Sequence, residues 1–169
     1  MKILETERLI LRHLTTDDAE FILELLNDPS FIRNIGDRNV RSIEDACSYI
    51  LNGPVASYAK NGFGLYLVLL KETKEPMGMC GLIKRDGLED VDIGYALLPR
   101  YWSKGYAVEA AQATKEYARE AIGLKRIVAI VDPVNAGSIR VLENIGLHYE
   151  TMVRLSADDI DLKLFGAEL

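Results

Sequence analysis

The sequence predicts one layered α+β domain over residues 1–169, and three observations lead to it. Apolar residues make up 49% of the 169-residue chain and prolines number only five, which favours a packed core over a disordered or collagen-like chain. The apolar spacing switches along the chain between strand-like alternation and the wider helical period. Glycine and proline fall at those switches, with no repeat, linker or low-complexity tract between them.

Residues 8–14, RLILRHL, alternate as a strand with Leu9, Leu11 and His13 on one side. A helix follows, with Asp17 placed to cap it and Glu20 three residues on. Ala19, Ile22 and Leu26 form its stripe, and Pro29 ends it. A second helix has Ser42 as cap, Asp45 three residues on, Ala46 and Ile50 on one face, and Gly53-Pro54 as terminator. Three strand-like runs come next, residues 63–70, 77–85 and 91–99, whose short connections favour an antiparallel meander. Gly78, Gly81 and Gly94 weaken these strands unless a bulge or a close backbone approach needs them.

From Gly105 the period lengthens. Ala107, Ala111, Thr114, Ala118 and Ala121 line the slim face of a helix that Gly123 closes. Residues 126–131, RIVAIV, read as a short buried strand. Residues 135–146 read as a helix with Ile139, Leu142 and Ile145 as its stripe, and two final strands lie within 147–155 and 159–169. The expected order is β-α-α-β-β-β-α-β-α-β-β.

Twenty-six acidic against 20 basic residues give a net charge of −6, which argues against a general nucleic-acid binder. Cys47 and Cys80 match neither a C-x-x-C nor a zinc spacing and are expected as small buried thiols. His13 and His148 are too few for a metal cluster, so no metal site is expected. No apolar run approaches the roughly 20 residues that span a bilayer. The start MKILETERL soon turns charged and has no signal-peptide pattern, so the expected location is cytoplasmic, away from any membrane.

Residues 99–111, PRYWSKGYAVEAA, stand between a strand and a helix. A helix N-terminus leaves amides unpaired and carries a partial positive charge, so phosphate sits there readily where glycine lets the chain come close. Gly105 and Ala107 supply that room, although a plain structural turn would use the same residues. There is no G-x-x-x-x-G-K-[ST], and GFGLYL precedes a strand and lacks the third glycine of a dinucleotide fingerprint. Kinase and dehydrogenase readings therefore fail.

Preceded by DIGYALLP, the run YWSKGYAVEA resembles the acyl-CoA pyrophosphate loop of the GNAT N-acetyltransferase superfamily, patterned [QR]-x-x-G-x-[GA]. Trp102 stands at the Gln/Arg place, as is usual in the branch that acetylates ribosomal-protein N-termini at alanine or serine. That branch reads W-G-x-G-Y-A, so Ser103 replaces its first glycine. ETERLILRHLTTDDAE is similar to the branch's opening strand and helix, and VDPVNAGSIRVLENIGL to its N-x-x-S-x-x-[VL]-L-E-x-[IL]-G-[FL] segment.

The resemblance implies a twisted mixed sheet of about seven strands flanked by about four helices. It also implies a V-shaped splay between the strand holding Gly94 and residues 126–131, a parallel pair joined by a crossover helix. Acetyl-CoA is the implied co-substrate. The backbone of Ala96, Leu97 and Leu98 would meet its pantetheine arm, the amides of Ser103, Lys104, Gly105, Tyr106 and Ala107 its pyrophosphate, and Asn135 the pantetheine region, with Ser138 nearby. The implied reaction is acetyl transfer to a primary amine by direct attack, with a protein N-terminal α-amino group as favoured acceptor. A small-molecule amine (polyamine, drug or amino-acid derivative) is the alternative acceptor, and a non-catalytic acyl-CoA-binding module is the alternative outside the enzyme class. The expected partners are a peptide or small-molecule amine, with no nucleic acid and no membrane, for a monomer or homodimer.

N-acetyl transfer needs a neutral amine held against a thioester carbonyl and no covalent enzyme intermediate, so neither cysteine need be a nucleophile. Asp92 occupies the Glu place of the branch's E-I-G-Y strand and is the leading general base; a surface carboxylate at a strand start is the other reading. Glu109 is read as a carboxylate favoured by the helix dipole. Many superfamily members carry a Tyr acid in the last helix, a place that falls here on Leu142. Tyr95, Tyr101, Tyr106 or a water would stand in, and Ser138 is a candidate hydrogen-bond donor to the leaving thiolate. Arg33, Arg38 and Arg41 form a modest cationic set where the family builds its acceptor wall, open to an acidic substrate group, a CoA phosphate or solvent.

Overall fold

The computed structural model describes residues 1–157 and 159–169. Its strands are β1 (Lys2–Glu5), β2 (Leu9–Arg12), β3 (Leu65–Leu70), β4 (Pro76–Ile83), β5 (Asp92–Leu97), β6 (Arg126–Val131), β7 (His148–Val153) and β8 (Leu162–Glu168). They form one eight-stranded sheet in the order β1-β2-β3-β4-β5-β6-β8-β7. The helices are α1 (Ala19–Asn27), α2 (Pro29–Asn34), α3 (Ile43–Ile50), α4 (Ala56–Asn61), α5 (Tyr106–Tyr117) and α6 (Ala136–Asn144). Neighbouring strands pair antiparallel except β5 and β6, which run parallel and are joined through α5.

The meander expected over residues 63–99 is present as β3-β4-β5. Two of its three strand glycines answer close backbone approaches: a Cβ at Gly78 would lie 2.0 Å from the Ala96 carbonyl oxygen, and one at Gly81 2.1 Å from that of Gly64, whereas one at Gly94 would meet only side chains, the nearest being Ile83 at 3.2 Å. The α+β class and the mixed sheet are as expected, with one more strand and two more helices. β1 was missed because it is a short edge strand with little burial, so its alternation is faint. α1 stops just before Pro29, as expected, with Asp28 extended; Pro29 also opens α2, with the Asp28 side chain accepting from the Ser30 amide as cap. Gly53-Pro54, by contrast, does not terminate a helix. The chain passes through it in a wide π-helical turn and continues as α4, which stops at left-handed Gly62. The first cap is Thr15, not Asp17, boxed with Asp18 ahead of α1. Ser42 caps α3 by accepting from the Asp45 amide.

α5 forms the spine between two halves of the core. Ala110 packs with the α1, α3 and β2–β4 side chains, while Ala111 and Ala118 pack with β5, β6, α6 and β8. Small side chains let this helix lie close to the sheet and fix where its N-terminus ends up. Ala121 is exposed, because a π-helical turn over Ala118–Ile122 rotates it off the alanine face. Cys80 is buried and bonded at 3.3 Å to the Thr114 hydroxyl, whereas Cys47 is only half-buried.

Candidate active site

The parallel strands β5 and β6 touch at one place. Asp92 lies opposite Val128, and the Val128 amide donates to the Val91 carbonyl at 3.0 Å. Beyond that point no pairing joins them, and a cleft of about 1410 Å³ opens between them toward the start of α5. Antiparallel alternation then decides which backbone groups face it. The Leu98 amide donates to the Met77 carbonyl at 2.9 Å, so Leu98 and Ala96 turn toward β4, while Tyr95 and Leu97 turn to the open edge. The Leu97 carbonyl is taken by the Trp102 indole N–H at 2.8 Å, which ties the following loop to the end of β5.

That loop makes two left-handed turns. Ser103 has φ +61° and Gly105 φ +82°, and Gly105 is the N-cap of α5 with no side chain capping the helix. Ser103 therefore occupies a conformation that glycine takes without strain, at a cost of roughly 1 kcal/mol for its Cβ. Among the described residues, the amides of Ser103, Lys104, Gly105, Tyr106, Ala107 and Val108 donate to no protein acceptor. Arg8 braces the loop from the far side. Its guanidinium donates to Glu109 (2.7 Å) and to the Lys104 carbonyl (3.0 Å), and lies 4.4 Å from the Tyr106 ring centre.

Asp92 sits at the apex of the V. It is 1% exposed and lines the cleft, so it is not the surface carboxylate of the alternative reading. Oδ2 accepts from Arg85 Nε at 2.5 Å, and Oδ1 has no hydrogen-bond partner among the described residues. Burial pushes the carboxyl up to about 6, against the pull of Arg85; the Ile130 amide adds a smaller pull without making a full hydrogen bond.

Farther along the cleft, the Tyr95 hydroxyl meets Ser138, 2.8 Å from its Oγ and 3.0 Å from its carbonyl oxygen. Burial raises the Tyr95 phenol well above its ordinary value, so it stays protonated. Asn135 uses Oδ1 to cap α6, accepting from the Ser138 amide at 3.2 Å. Leu142 is a core residue, 1% exposed. Tyr101 bonds Glu75 and Tyr106 lies beneath Arg8, so of the three tyrosines only Tyr95 reaches Ser138.

A family model described as an acetyltransferase (GNAT) domain matches residues 8–148. The chain belongs to the GNAT acetyltransferase family. It is 35% identical over 153 residues to the uncharacterized N-acetyltransferase YoaA of Bacillus subtilis (strain 168), covering 90% of this chain and 86% of that protein. The crystal structure of a GNAT-family acetyltransferase from Bacillus anthracis superposes with a TM-score of 0.81 at 29% identity, covering 99% of this chain and 98% of that one. RimL, a ribosomal L7/L12 α-N-protein acetyltransferase in complex with coenzyme A, shares the fold with a TM-score of 0.86 at 16% identity, over 100% and 98% of the two chains.

In this GNAT acetyltransferase the other end of the cleft is walled by α2, α3 and the loop between them. Arg33, Arg38 and Tyr49 line it, whereas Arg41 is tied to Asp37 (2.5 Å) and Asn27 (3.1 Å). Sequence reasoning missed Arg8, Tyr49 and Arg85. Only Arg8 left a local trace, inside the TERL run; its partners lie about a hundred residues away. Among the described residues, no group of three or more His, Cys, Asp or Glu side chains is placed to hold a metal ion, and no helix is long and apolar enough to cross a membrane.

Proposed function

We propose that this GNAT acetyltransferase transfers acetyl from acetyl-CoA to an α-amino group by direct attack, with a polypeptide N-terminus as acceptor. The observation that carries the reading is Asp92, a buried carboxyl near 6 with one unpartnered oxygen at the apex of the cleft. An α-amino group titrates near 8, about two units above that carboxyl, whereas a lysine or polyamine amine near 10.4 lies more than four above. The same base is thus matched to α-amines and poorly matched to lysine. The likeness of fold to RimL, an α-N-protein acetyltransferase by name, points the same way.

The chain's groups suit acetyl-CoA as donor substrate. Unpartnered amides from Ser103 to Val108 converge on the uncapped start of α5, as a diphosphate requires. The open β5 edge at Tyr95 offers backbone groups to an amide-bearing arm, with the Asn135 side chain across the cleft. The thioester supplies the activated acetyl group. Asp92 takes the proton released as the amine becomes a nucleophile, directly or through a water. The Ser138 hydroxyl donates to the departing sulfur, and Tyr95, hydrogen-bonded to it, holds that hydroxyl in place.

Calorimetry with acetyl-CoA, then thiol release over peptides with free α-amines, blocked α-amines and lysine side chains, tests this. Peptides with free α-amines are expected to turn over fastest. Absence of binding at tens of micromolar would remove the reading; binding without release from any amine would make the protein an acyl-CoA-binding module. A free amino-acid derivative is the second acceptor reading, favoured by the cationic wall at the acceptor end of the cleft.

A further inference from the structure

We infer that the acceptor amine carries an acidic group, a carboxylate within a few bonds of the reacting nitrogen, held by Arg38 with Arg33 beside it. This rests on the α-amine reading above and specifies the substrate class of that same site. The protein as a whole is acidic, with a net charge of −6, so a cationic wall here runs against its overall balance.

The carboxylates of the cleft lining are already committed. Asp28 caps α2 and accepts from Ser30, Asp132 accepts from the Val134 amide, Asp159 accepts from Ser156, and Asp92 is paired with Arg85. Arg33 and Arg38 line the same cleft and have no ion-pair partner among the described residues. Arg41, their neighbour in sequence, does not line the cleft and is neutralised by Asp37.

Tyr49 stands in the acceptor wall. It lines the cleft, and together with Arg38 it lines an adjoining groove. Burial raises its phenol, so the hydroxyl stays protonated, and Arg38 and Arg85 line the same cleft. Arg85 in turn holds Asp92 at 2.5 Å. The cleft lining thus offers an acceptor for an ammonium at Asp92, a neutral donor at Tyr49, and at Arg38 a cation with no ion-pair partner among the described residues. A zwitterionic amine matches that sequence of charges, its nitrogen toward the open Asp92 oxygen and its carboxylate toward Arg38. A polyamine meets a like charge at Arg38 instead.

The carboxylate can come from an acidic side chain at a polypeptide N-terminus or from a free amino acid, and the test separates these sources. Acetylation of Asp-Ala-amide, Asn-Ala-amide, Lys-Ala-amide and free aspartate would be compared in wild type, Arg38→Gln, Arg33→Gln and Arg41→Gln. The expected result is a kcat/KM for Asp-Ala-amide about tenfold or more above Asn-Ala-amide, shrinking as salt is raised. Arg38→Gln should bring that ratio close to one, and Arg41→Gln should leave it unchanged. Free aspartate outperforming the peptide assigns the small-molecule source, and the reverse assigns the polypeptide. Equal rates for the Asp and Asn peptides, a preference for Lys-Ala-amide, or a ratio that survives Arg38→Gln would overturn the inference while leaving α-amine acetylation standing. No turnover in any arm would overturn both.

Discussion

The Arg8 guanidinium and the Glu109 carboxylate, 101 residues apart in sequence, meet at 2.7 Å behind the loop that opens α5. The Arg8 amide donates to the same carboxylate at 2.9 Å, and Thr6 donates a third bond at 2.5 Å. Burial would raise the Glu109 carboxyl, but these hydrogen bonds outweigh it and hold it below its ordinary value. An ionised carboxylate in the first turn favours the helix dipole and also opposes any anion bound there. Arg8 neutralises that charge and fixes the Lys104 carbonyl, so it positions the loop without lining the cleft.

Arg8→Ala should therefore raise KM for acetyl-CoA about tenfold and change kcat little. Adding Glu109→Gln should recover part of the loss, because it removes the exposed negative charge. Steady-state kinetics on the two single variants and the double variant check this. A double variant no better than Arg8→Ala alone would show that the Glu109 charge has no electrostatic effect on the anion seat.

The left-handed turns predict opposite outcomes for two neighbouring substitutions. Ser103→Gly relieves strain of roughly 1 kcal/mol but adds unfolded-chain entropy of similar size, so stability should stay within about 0.5 kcal/mol. Acetyl-CoA binding should be retained. Gly105→Val puts a β-branched residue at φ +82°, with its Cβ 3.3 Å from the Arg8 guanidinium, and should cost more than tenfold in affinity. Calorimetry on both variants decides; equal affinities would mean the loop does not bind the donor.

What could be read from the sequence follows the range of the interactions. The meander, the alanine helix and the segment from Asn135 to Gly146 were legible because their patterns are local and strongly periodic. Pro29 ends α1 as expected but also opens α2, and Pro54 misled because a wide π-helical turn carries the chain through it into α4. At the site, Asp92 could be placed on its strand, but its burial depends on β4, β6 and Arg85 together. The Arg8 brace and the Tyr49 contacts are set by tertiary packing, which no window of sequence contains.

Tyr95 and Ser138 should act as a unit. The phenol holds the Ser138 hydroxyl at 2.8 Å, and among the described residues no other tyrosine bonds it. Ser138→Ala removes the group that would meet the leaving sulfur, and Tyr95→Phe leaves that group less well oriented. We expect each to lower kcat several-fold, and the double variant to fall little below Ser138→Ala alone. Two independent, multiplying losses would show that Tyr95 contributes by some route other than Ser138.

Asp92 ties turnover to stability through one carboxyl. Its value is raised from 3.8 to about 6, so the folded state binds the proton more tightly than the unfolded chain. The stability this contributes is full below about 3.8, falls as pH rises, and is gone above about 6. The ionised form at neutral pH therefore costs about 3 kcal/mol. Asp92→Asn keeps the shape without the charge, and Arg85, partly exposed, can hydrate when its partner is neutralised. The variant should match wild type in Tm near pH 4 and exceed it increasingly up to about pH 6.5, then hold that margin. The difference is the useful quantity, because paired carboxylates such as Asp37 and Glu150 tilt the absolute curve the other way. In activity the order reverses: kcat should fall at least tenfold, and the acid limb of kcat/KM near pH 6 should disappear. A variant that is less stable at pH 7, or that keeps the acid limb, would show that Asp92 is a structural ion-pair partner and that the base lies elsewhere.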